Sequence, residues 1–77
     1  MNKPRRQELQ KALDMINDAR DIIEAMKDEE QEAYDNLPEG IQDSERGEQM
    51  DENISDLEEV MDGLEEQASM LEDILCR

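Results

Sequence analysis

The reactive groups this sequence offers in quantity are carboxylates: 24 Asp and Glu, with no His and a single cysteine, Cys76. Without His there is no Glu-x-x-His di-metal bundle, no Cys/His zinc site and no Ser-His-Asp triad, which removes most enzyme classes. The acidic run DEEQE at 28–32 and the pair Glu65 and Glu66 lack the alternating ligands and central Gly of an EF-hand. Gly40 and Gly47 lack the spacing and the preceding strand of a phosphate-binding loop. Glu30, on an otherwise apolar line, is readable as a catalytic acid. No second group stands ready to work with it, and a long side chain near the open end of a hairpin reaches water, so the structural reading is favoured. A non-enzymatic protein with no cofactor and no metal is expected. Cys76 has no partner for an intramolecular disulfide, and a free thiol at a helix end is the simple expectation.

What the carboxylates can do collectively is set up a field. Residues 1–27 hold six basic and five acidic side chains, net +1, whereas residues 28–77 hold two basic and nineteen acidic, net −17. Thirteen acids fall between Asp43 and Asp73. On a helix that is one per roughly 3.5 Å, close to the spacing of charges along one DNA strand. Any Glu-rich outer face gives a similar spacing for solubility alone. Such crowding nevertheless destabilises a small domain by self-repulsion, and Gln would confer solubility without that cost, so a functional surface is favoured. Direct binding to nucleic acid or to anionic lipid is disfavoured by the same charge. No signal-peptide core follows Lys3, Arg5 and Arg6, and no apolar run reaches membrane-spanning length, so a cytoplasmic location is expected.

The elements that must carry these acids are helices. Apolar residues at Leu9, Ala12, Ile16, Ala19, Ile23, Met26, Ala33 and Leu37 alternate steps of three and four, with Glu30 the one substitution. Met50, Ile54, Leu57, Met61, Leu64, Ala68, Leu71 and Leu75 do the same. These are heptad a/d seams. The expected fold is all-α: one domain, residues 1–77, with helix one over about 4–35, a bend over about 36–43 and helix two over about 44–75. Pro4 suits the first turn of helix one. Asn36, Pro38, Gly40, Ser44 and Gly47 are read as bend chemistry, with Asp43 or Ser44 capping helix two. Folding back around Gly40 pairs seam residues whose numbers sum to about 80, such as Leu9 with Leu71 and Glu30 with Met50, an antiparallel coiled-coil-like hairpin. On one flank Arg20 and Lys27 then face Asp51, Glu58 and Glu65. On the other, Met15, Ile22, Val60 and Ile74 widen the apolar stripe beyond what two helices cover. A chain of this length buries only about 60% of its unfolded surface, and this one has no Trp or Phe. Dimerisation into a four-helix bundle is the expected remedy, with those four residues as the interface. Gly63 is placed on the solvent side of helix two.

The stretch YDNLPEGIQDSERGEQMDE, followed by an acidic helix, resembles a segment of small acidic helical-hairpin proteins of phages and prophages. The shared features are Asn36-Leu37-Pro38-Glu39, Gln42, Ser44, Arg46-Gly47-Glu48 and Leu57-Glu58-Glu59, over about residues 28–66. The resemblance carries no activity across. At the level of class it points to anti-CRISPR proteins and other DNA mimics, and so to a bacterial host cell. By that logic Glu48, Glu52, Asp56, Glu59, Asp62, Glu66 and Asp73 would engage Arg and Lys of a basic nucleic-acid-binding protein, a Cas9-type nuclease being the leading target. The alternative is a coiled-coil structural or adaptor piece of a phage assembly. In that reading the apolar flank makes the contact and the acids keep the piece in solution.

Overall fold

A computed structural model describes the whole chain, Met1–Arg77. It is all-helical: α1 spans Lys3–Asp35, α2 is the single turn Glu39–Gln42, and α3 spans Glu45–Leu75. The shape is a rod of 59 × 14 × 14 Å. No helix is long and apolar enough to cross a membrane.

Each boundary has a local cause. The side chain of Asn2 accepts a hydrogen bond from the Arg5 amide at 2.9 Å, and Pro4 occupies the first turn, where an amide would lack a partner. At the far end Asn36 closes the helix through its own N–H to the Glu32 carbonyl, 3.1 Å, and the extended backbone of Pro38 prevents continuation. The bend expected over 36–43 is not open loop. The Pro38 carbonyl accepts from both Ile41 and Gln42, closing α2. Ser44, rather than Asp43, then caps α3, its hydroxyl oxygen accepting from the Gly47 amide while it donates to the Ile41 carbonyl.

The two long helices lie antiparallel. Arg20 Nη1 meets Glu65 Oε1 at 2.6 Å and Lys27 Nζ meets Glu58 Oε1 at 3.7 Å. One heptad forward along α1 is therefore one heptad back along α3. At the rod's end Arg6 donates to the carbonyls of Leu75 and Arg77, at 2.6 and 2.9 Å. This contact explains a charge order that looks wrong for α1 alone, with cations near its N-terminus and acids near its C-terminus. The antiparallel neighbour inverts the local field, so Arg6 lies against the electronegative C-terminus of α3.

The core is thin, and on α1 it departs from the expected seam. Only Leu13, Met50, Ile54 and Ala68 among the apolar residues are buried, and no side chain is fully enclosed. On α3 the buried and half-buried line is the expected one, from Met50 to Leu75. On α1 it runs Leu9, Ala12, Leu13, Ile16, Ala19, Arg20, Ile23, Lys27, Glu30, Tyr34 and Leu37. Of the expected d residues, Ala12 and Ala19 are half-buried, whereas Met26 is 49% exposed and Ala33 is exposed. The cause is side-chain chemistry. Arg20 and Lys27 keep their apolar stems at the interface while their charged ends reach Glu65 and Glu58 of α3, and Tyr34 is half-buried as well, so a position that reads as polar still packs.

Two glycine expectations also change. Every glycine has an ordinary backbone conformation, so neither Gly40 nor Gly47 is needed for a left-handed turn. Gly40 lies within α2 facing open space. Gly47 is not in the bend; it is buried in the first turn of α3, where a Cβ would overlap the backbone carbonyl of Gln42. Its role is close approach, which lets α2 fold down onto α3. The Gln42 side chain completes the corner by donating to the Tyr34 carbonyl at 3.1 Å.

Candidate partner-binding surfaces

The surface acids divide by whether a cation reaches them. Glu58 and Glu65 are held by Lys27 and Arg20. The Arg20 guanidinium is pushed above its ordinary value by its hydrogen bond to Asp21, and by the nearby charge of Glu65, against partial desolvation. Glu48, Glu52, Asp56, Glu59, Asp62, Glu66 and Asp73 are all exposed, and none takes part in an ion pair or a side-chain hydrogen bond. They recur mostly every three or four residues, so they line the outer side of α3, away from the Met50–Leu75 seam. Of the eight basic side chains, Arg6 is engaged at the helix ends, Lys11 with Glu8, and Arg20 and Lys27 on the inter-helix flank, while Arg46 at the start of α3 and Arg77 after its end form no ion pair with the row. The result is a row of carboxylates on α3 with no ion-pair partner.

Three or more acids nowhere converge at metal-binding distance. Glu30 sits near the bend rather than the open end. It is half-buried, and Asn53 Nδ2 donates to it at 3.1 Å. That bond settles its carboxylate between the helices, and it borders a shallow depression with Asp56, Leu57 and Val60.

The second surface is apolar. Met15 is 69% exposed, Ile22 64% and Val60 47%, while Ile74 is half-buried. Met26 joins Met15 and Ile22 as an exposed apolar residue of α1, and the half-buried Ala12 and Ala19 border this patch. Sequence reading assigned Met26 and Ala33 to the internal seam, and both are exposed, while Ala12 and Ala19, assigned there too, are half-buried. The signal was present in Leu13, an apolar residue outside the assigned a/d set and the most buried side chain of the molecule. The chain matches no protein-family model, no curated protein and no solved structure.

Proposed function

We propose that this protein acts by binding, without catalysis or cofactor, as an acidic decoy for a basic nucleic-acid-binding protein. The observation that carries the reading is the row of seven exposed, unpaired carboxylates along α3. A groove that holds phosphates presents Arg and Lys at short intervals, and a rigid rod bearing carboxylates at comparable intervals competes for them. Long-range attraction would speed association, while the bend residues Asn36, Pro38 and Ser44 or the apolar flank would supply selectivity. Phage origin, inhibition of a Cas9-type nuclease and a bacterial cytoplasmic setting are the narrower form of this proposal. They rest on the resemblance of the bend and on charge. Self-association of two hairpins into a four-helix bundle belongs to the same reading, because so few side chains are buried within one.

The test is a pull-down from bacterial lysate at low and physiological salt, with added duplex DNA as competitor. A variant carrying Gln or Asn at the seven positions is run alongside. Recovery of a basic nucleic-acid-binding protein that DNA displaces, and that the neutralised variant fails to recover, supports the decoy. Recovery of phage structural proteins by both variants, insensitive to DNA, would establish the adaptor reading instead. The exposed Met15, Ile22 and Val60 are what favour that second reading.

A further inference from the structure

We infer that the shallow depression bordered by Glu30, Asn53, Asp56, Leu57 and Val60 is the seat for one arginine side chain of the basic partner. This rests on the decoy reading above and adds the place where the acidic rod grips a particular side chain.

Shape sets this place apart from the rest of the acidic surface. Its volume is about 280 Å³, just below the range of small-molecule pockets, so it suits a single side chain better than a metabolite or cofactor. Glu30 approaches from α1 and the other four residues from α3, where positions 53, 56, 57 and 60 fall on one stripe. Of the seven outward acids, Asp56 alone borders a depression. The molecule's other depression, at Met1, Pro4 and Leu9, is edged by Arg5 and Glu8 together and so selects no charge.

The carboxylates here are unmet from within the chain. Glu30 is half-buried, and its side-chain partner is neutral, the Asn53 amide at 3.1 Å. Neither Glu30 nor Asp56 forms an ion pair. Arg20 and Lys27 turn to Glu65 and Glu58, which by helical spacing lie on the opposite flank of α3 from Asn53 and Val60. Two carboxylates beside Leu57 and the 47%-exposed Val60 match a long amphipathic cation, its head to the acids and its methylenes along the apolar pair. Arginine fits better than lysine. Its planar head donates through a fixed fork to more than one oxygen, and it is more weakly hydrated than an ammonium, so it gives up water more readily at a partly covered site.

Amide NMR shifts of the isotope-labelled full-length chain, titrated with a capped four-arginine peptide, test this. The largest shifts should centre on Asn53, Asp56, Leu57 and Val60. Glu30→Gln and Asp56→Asn should each weaken binding about three- to ten-fold, as for a charge-assisted hydrogen bond lost at a part-exposed site. Asp62→Asn and Glu66→Gln remove the same charge from the row alone and should each weaken it less than about two-fold. The matching lysine peptide should bind more weakly. Shifts spread evenly along α3, with all four substitutions equivalent, would overturn the seat and leave the acidic-decoy reading standing. Equal binding of the two peptides would overturn the choice of arginine. No binding of either peptide at low salt would overturn the seat and the decoy together. Glu30→Gln keeps an oxygen for Asn53, and the exposed Asp56→Asn decides the matter even if Glu30→Gln fails to fold.

Discussion

Arg20 and Glu65 lie 45 residues apart in sequence and meet at 2.6 Å across the hairpin. Arg20 occupies a seam position and is half-buried, with its Nε unpartnered, so its stem contributes packing and its head fixes register. A double-mutant cycle with Arg20→Met and Glu65→Gln should show a favourable coupling that shrinks as salt is raised. Arg20→Met alone should be better tolerated than Arg20→Ala, because the methionine keeps the apolar stem. Equal losses for the two would mean the stem contributes nothing.

Leu13 is the most buried apolar side chain. Leu13→Ala should cost about 2–4 kcal/mol in urea unfolding, towards the lower end where a narrow rod lets neighbours relax. A loss below about 0.5 kcal/mol would be the surface-residue result and would return the α1 seam to Met26 and Ala33.

Two of the glycines should respond with opposite signs. Gly63 lies mid-helix with open space where a Cβ would go, so Gly63→Ala should stabilise by about 0.5–1 kcal/mol. Gly47→Ala meets the Gln42 carbonyl and should destabilise by about 1–3 kcal/mol, the usual range for overpacking. Thermal melts of the pair read out both, and a stabilising Gly47→Ala would mean that α2 does not seat on α3.

Unneutralised acids on one helix repel one another. Raising sodium chloride from about 0.01 to 0.15 M shortens the screening length from roughly 30 to 8 Å, and the melting temperature should rise accordingly. The seven-fold neutralised variant should melt higher at low salt and show a flatter salt response. An unmodified protein that melted lower as salt rose would place the net electrostatics with the cross-helix pairs instead.

Much of this architecture was legible in the sequence because helical periodicity is a local signal. Met50 to Leu75 reads as a seam and packs as one, and Pro38 and Ser44 end and begin helices where their chemistry requires. The α1 seam was misread because apolarity was taken as the only mark of burial. Arg20, Lys27 and Tyr34 are half-buried at positions that a binary pattern scores as polar, which drew the apparent interface towards Met26 and Ala33. Gly47 was read for its backbone freedom, yet it serves by its missing Cβ, a requirement visible only once Gln42 lies above it. The acidic face was legible as composition. That Glu58 and Glu65 are paired while the seven outward acids are not was not legible, since that depends on Arg20 and Lys27 being turned to the inter-helix flank.

The corner where Gln42 bonds the Tyr34 carbonyl joins residues only eight apart, whereas Arg6 and the Arg77 carbonyl are separated by 71. The entropy lost on closing a loop grows with its length, so the cheapest inter-helix contacts to form are those beside the corner, and each one shortens the loop for the next. The chain is thus built to close like a zipper, starting at the turn and ending at the arginine clasp. Deuterium should enter the amides around Leu75 before those around Ile54, and damage to the corner should slow folding more than equal damage to the clasp.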